Sequence, residues 1–245
     1  MKDRSFSVFS SLVIILSSFV FSIYFTRFAS EELFKQYNLV LPLVMAFSQL
    51  ILLGSPAGLT TVILSEKYNF NFKQDIIYNS LIIVSFTFVI LLLLNYFFSS
   101  YLFRINNSHV FFITLSALGV AYRDSLINYY QTILDFKKLA VFSLFVLVTA
   151  FSALAGVYYL KLIYLIWILL VPLSIYFIFK FKTQRFIRID TYLIKILIKE
   201  GWYTAPFFFV LNYFNYLQRD ILVRKTDLLF FNSYTLFSML SLIHI

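Results

Sequence analysis

Residues 5–26, SFSVFSSLVIILSSFVFSIYFT, run for 22 positions without Asp, Glu, Lys or Arg, and 13 of them are Phe, Ile, Leu or Val. A hydrocarbon core about 30 Å thick needs roughly 20 apolar helical residues at about 1.5 Å rise each. The stretch therefore has the length of a membrane-spanning helix, bracketed by Arg4 and Arg27. It is too long for a signal-peptide core and lacks a clean small-residue cleavage site, so it reads as an uncleaved first span. The same pattern recurs at about 37–64, 76–103, 108–127, 139–160, 162–179 and 202–218, and an eighth apolar stretch begins near Leu228 and is still running at Ile245. The expected fold class is all-α: a polytopic transmembrane helix bundle comprising the first six-span half of a two-half transporter plus the start of the second.

Composition agrees with that reading. The chain is 61% hydrophobic and only 13% charged, whereas a soluble domain is roughly half apolar and about a quarter charged. Its 32 Phe would leave too much oily surface for water. With no Cys and two His, disulfides, thiolate metal sites and a His-built metal cluster are excluded, and no cofactor is implied.

The formal charge of +9 is resolved by position. With the N-terminus cytoplasmic, 13 of the 20 Lys and Arg fall on the inner side and seven on the outer, as the positive-inside rule expects. The densest basic block, 180–199, alternates Lys and Arg with Phe, Ile and Leu and predicts an amphipathic helix on the inner surface. The domain reading is a bundle at 1–179, a cytoplasmic amphipathic linker at 180–201, and a truncated second bundle at 202–245. The outer loops are too short for a soluble catalytic domain. Nucleic acid is excluded as a partner, because the basic residues are strung along one membrane face and the stacking aromatics lie within spans. The bilayer itself is the first partner.

An offset of 197 residues superposes the end of span one on the end of span seven: Arg27 meets Arg224, Leu33 and Phe34 meet Phe230 and Phe231, Tyr37 meets Tyr234, and Leu39 meets Leu236. That is where a six-span repeat would place them, and two-repeat transporters hold their substrate between the halves.

Five segments in order carry a family resemblance: TRFASEELFKQY at 26–37, LGSPAGL at 53–59, YYQTILDFKKL at 129–139, KILIKEGWYTAP at 195–206 and RDILV at 219–223. Together they resemble the polysaccharide-transport branch of the multidrug/oligosaccharidyl-lipid/polysaccharide exporters, which includes the Wzx-type O-antigen flippases. Lys35 and Asn232 stand where that family usually has Gly. The resemblance implies flipping of a polyprenyl-pyrophosphate glycan across the bacterial cytoplasmic membrane by alternating access. It implies no enzymatic activity, and a polysaccharide polymerase and chain-length proteins as partners. Because family members have about twelve spans or more, the chain is expected to be an N-terminal fragment that does not transport alone. The alternatives are a membrane polysaccharide polymerase or glycosyltransferase, and a multidrug exporter of the same superfamily.

Such a cargo calls for cations in a low-dielectric groove, and the Arg fork suits phosphate. Arg123, with Asp124 beside it, is the first candidate, since 105–134 holds no other Asp, Glu, Lys or Arg before the end of that stretch. An ionisable group within a span costs about 2.5 to 3.5 kcal/mol on insertion scales. Arg123 either faces the interior or snorkels to the nearby interface. Arg27 and Arg219, at outer span ends, are candidates to receive the headgroup, and Asp220 is a candidate cavity residue that either pairs with Arg219 or Arg224 or couples a proton. Asn212, Tyr213, Asn215 and Tyr216 of span seven carry groups that stack on and bond to sugars. Pro42, Gly54, Pro56 and Gly58 weaken the helical ladder of the long second span and are the candidate gating residues. Ser7, Ser11, Ser18 and Ser22 share one face of span one, either lining a path or allowing close helix packing.

Overall fold

A computed structural model describes residues 2–64, 73–102, 107–180 and 189–225. Every described element is helical: α1 (Lys2–Arg27), α2 (Glu31–Leu52), α3 (Ser55–Leu64), α4 (Lys73–Leu102), α5 (Asn107–Thr132), α6 (Phe136–Leu160), α7 (Leu165–Ile168), α8 (Leu170–Lys180), α9 (Thr191–Gly201) and α10 (Thr204–Lys225). The protein is an all-α bundle. Within α4, α5 and α6, the segments Asp75–Phe97, Ser108–Thr132 and Phe136–Leu160 are long and apolar enough to cross a membrane, and α2 with α3 makes a fourth if the bent pair counts as one span. Among the described residues two shorter apolar helices accompany these, Ser5–Ser17 in α1 and Leu165–Lys180 across α7 and α8, so three or four of the six spans expected before the linker meet the length and apolarity of a full crossing.

Helix boundaries follow local chemistry. The Ser30 side chain accepts the Leu33 N–H at 3.3 Å and caps α2, with Glu31 and Glu32 in its first turn, where negative charge offsets the exposed amides. Asp135 caps α6 through the Lys138 N–H, and Asp190 caps α9 by accepting from Tyr192 and Leu193.

Around these ends the bundle closes on α5, which packs against α2, α4, α7 and α8, while α1 lies along α6 and α10 along α2. Polar pairs tie the interior together: Ser85 Oγ lies 2.7 Å from the Tyr122 hydroxyl, and Asn95 Nδ2 donates to Thr114 Oγ1 at 3.0 Å. With no water to compete, such contacts help hold α4 on α5. Phe25, Tyr37 and Trp167 form a stack, with centroid spacings of 4.2 and 6.0 Å, that joins α1, α2 and α7. Outward, α4 presents Phe86, Val89, Leu93 and Phe97, and α6 presents Leu144, Val148 and Phe151. This inverted surface is suited to lipid.

Two expectations change in detail. Among the described serines of α1, Ser10 and Ser17 are buried while Ser7 is half-buried and Ser11 exposed; α1 packs along α6, where Ala150 and Ala153 are also buried. Ser18 and Ser22 lie outside the described side chains. The apolar stripe of α9, Leu193, Ile196 and Leu197, is buried, and the helix packs on α3 and α4. Of the internal repeat, the second copies Phe230, Phe231, Tyr234 and Leu236, and the divergent Asn232, lie outside the described residues, as do 181–188 of the linker.

Candidate functional site at the break between α2 and α3

The second span does not cross as one helix. Leu53 (φ 46°) and Gly54 (φ 71°) are both left-handed, and α3 leaves at 47° to α2. The Leu53 N–H bonds to the carbonyls of Gln49 and Leu50 at 3.2 and 3.1 Å, so carbonyls in the last turn of α2 are satisfied despite the turn. Gly54 is required twice. Its φ favours glycine, and a Cβ there would overlap the carbonyl oxygen of Gly201. The reverse also holds, since a Cβ on Gly201 would overlap the Gly54 carbonyl, and one on Gly58 would overlap that of Leu197. The break therefore rests directly on the linker helix α9, backbone against backbone.

Beside this break lies a cavity of about 310 Å³. The break contributes Gln49, Leu52, Gly54, Pro56, Ala57 and Thr60; α5 contributes Asp124, Ile127 and Asn128; α10 contributes Thr204 and Phe208. Three of the polar groups bond to nearby carbonyls: Asn128 Nδ2 donates to that of Asp124 at 3.0 Å and Thr60 Oγ1 to that of Pro56 at 3.1 Å, each within its own helix, while Thr204 Oγ1 donates to that of Gly201, the last residue of α9, at 2.7 Å. Thr60 Oγ1 also lies 3.3 Å from Thr132 Oγ1, linking α3 to α5.

Arg123 and Asp124, adjacent on α5, form an ion pair. Arg123 Nε and Nη2 both reach Asp124 Oδ1 at 2.8 Å, and the two side chains are 23% and 26% exposed. Adjacent residues on a helix point about 100° apart, and it is Asp124 rather than Arg123 that lines the cavity. The arginine is folded onto its neighbour.

The other candidates are dispersed. Arg27 is exposed in the last turn of α1, where a cation offsets free carbonyls. Arg219 is half-buried, and its Nη1 donates at 3.0 Å to the carbonyl of Asn38. That carbonyl is the one Pro42 leaves without a helical donor, since proline has no N–H to return to residue i−4. Two residues singled out separately, a headgroup cation and a gating proline, thus form one contact between α10 and α2. Asp220 follows Arg219 and is half-buried. Asn212 Nδ2 bonds to its own helix at the Phe208 carbonyl, Tyr213 stacks on Phe209 at 5.7 Å, Tyr216 is buried, and Asn215 is exposed. None of these four lines the cavity.

Gln49, Thr60, Asn128, Thr204 and Phe208 were not singled out from the sequence. One signal was readable: Asn128 stands four residues after Asp124, on the same helical face. No protein family, no curated protein and no solved structure matches this chain.

Proposed function

We propose that this chain belongs to a carrier that flips a lipid-linked oligosaccharide, a glycan on polyprenyl pyrophosphate, across the bacterial cytoplasmic membrane by alternating access, with its N-terminus cytoplasmic. The observation that carries the reading is a cavity with five polar side chains among apolar ones, bounded by α2, α3 and α5 on one side of the linker and by α10 after it. A site shared across the linker is where a two-half carrier holds its cargo. The ordered motifs resembling the polysaccharide exporters name the cargo class. The left-handed pair at Leu53 and Gly54 supplies a place where α3 and α9 can swing as a unit against α2.

A multidrug exporter for cations would need an unpaired carboxylate in the cavity, and Asp124 is neutralised by Arg123. Deleting the intact gene is expected to make lipid-linked oligosaccharide accumulate on the cytoplasmic leaflet, with drug susceptibility unchanged. Normal surface polysaccharide in the deletion strain would overturn the proposal.

A further inference from the structure

We infer that the cavity beside the α2–α3 break recognises an uncharged polyhydroxylated group, a sugar residue, and excludes the phosphates of the cargo. The inference rests on the function proposed above and reverses the role first expected of Arg123.

The polar side chains of the cavity are Gln49, Thr60, Asp124, Asn128 and Thr204, set among apolar Leu52, Pro56, Ala57, Ile127 and Phe208. Amides and hydroxyls both donate and accept, and a carboxylate accepts strongly from hydroxyl groups. Phe208 adds an apolar ring for the C–H face of a sugar. No cation lines the cavity among the described residues, and the one acid there would repel a pyrophosphate. A lone carboxylate facing a low-dielectric space would itself be costly, and Arg123 removes that cost from the side by bonding twice to Oδ1. The pair is therefore neutral as a whole while presenting an acceptor to the cavity. At about 310 Å³ the space holds about ten waters' worth of volume at roughly 30 Å³ each. That lies at the lower end of small-molecule sites, which run from about 300 to 1,000 Å³, so it suits one sugar unit rather than a whole glycan.

Neutralising the two charges separately and together tests this. The intact gene and its Asp124→Asn, Arg123→Gln and doubly substituted versions are returned to the deletion strain. The rate at which glycan appears outside is measured per unit of protein in the membrane, which separates transport from failure to fold. Each single variant leaves an uncompensated charge at the cavity and is expected to lose about tenfold or more. The double variant restores neutrality, and Asn still bonds to hydroxyls, so it is expected to recover to within about threefold of the unsubstituted gene. If the cavity instead bound phosphate, Asp124→Asn would hold or raise the rate and the double variant would be null. That result, or single variants that transport normally, or a double variant no better than the singles, overturns the inference. Failure of the unsubstituted gene to restore export would instead overturn the proposed function, which keeps the two failures distinct.

Discussion

Around Pro42 and around Gly54, the chain of α2 meets two interruptions of its hydrogen-bond ladder, twelve residues apart, with opposite outcomes. At Pro42 the helix continues unbroken from Glu31 to Leu52. The lost donor leaves the Asn38 carbonyl open, and a guanidinium from α10, 181 residues away, takes it up. At Leu53 and Gly54 no donor is missing, yet the backbone enters the left-handed region twice and the chain turns by 47°. Proline changes which group bonds where, whereas the left-handed pair changes direction. The first interruption makes a tie to α10 and the second makes a seat for α9, so α2 and its continuation meet the segment after the bundle at both ends.

Filling the glycine seat is the most severe way to break this comparison. Gly201→Ala and Gly54→Ala each drive a methyl into a facing backbone carbonyl. Overpacking of this kind costs about 1 to 3 kcal/mol, and at Gly54 the left-handed backbone adds about 1 to 2 kcal/mol. Thermal unfolding in detergent is expected to show both variants well below the unsubstituted protein, Gly54→Ala lowest. Unchanged melting of Gly54→Ala would mean the break does not rest on α9.

Next in size is the tie at Pro42. Arg219→Gln removes a hydrogen bond from a charged donor, a class worth about 1.5 to 3 kcal/mol. Pro42→Ala supplies an amide N–H that competes for the Asn38 carbonyl. In a double-mutant cycle on melting temperature, the two changes are therefore expected to fall short of additivity. Full additivity would show that the proline vacancy and the arginine are unrelated. A smaller loss, about 1 kcal/mol, is expected for Asp190→Ala, which uncaps α9 without touching its glycine contact. A drop as large as that of Gly201→Ala would move the hold on the linker from the glycines to the cap.

These features were unequally legible in the sequence. The all-α class needed only charge-free runs such as 5–26, because lipid permits few other solutions. The start of α2 was not legible from apolarity, since the uncharged run begins at 37 whereas Ser30 caps the helix from Glu31, and Gly54 and Gly58 were legible as weak points of the ladder but their partner was not. The partner, Gly201, lies almost 150 residues on in sequence, and nothing local to either glycine encodes the other. Arg219 was readable as a cation at a span end, but its acceptor is a backbone atom, which has no letter. The cavity was hidden for a related reason. Thr60, Asn128 and Thr204 are unremarkable residues on three helices, and only the 47° turn of α3 brings them around one space. The ion pair was visible as Arg123 next to Asp124; which of the two faced inward depended on the packing of α5.

Pro56 carries the smallest expected effect and the sharpest bearing on what makes the turn. It sits beside the break, lines the cavity and would be the natural suspect for the change of direction. Yet it is the second residue of α3, where helix amides have no intrahelical partner and a missing N–H costs nothing. The bond from Thr60 to the residue 56 carbonyl does not involve the ring. Pro56→Ala should thus leave stability within about 0.5 kcal/mol and the bend intact. Spin labels at Gln36 and Thr61, both exposed on α2 and α3, would report the angle as a distance. A shift on Pro56→Ala comparable to that on Gly54→Ala would assign the turn to the proline, and the contrast between the two interruptions would then be one of position rather than of chemistry.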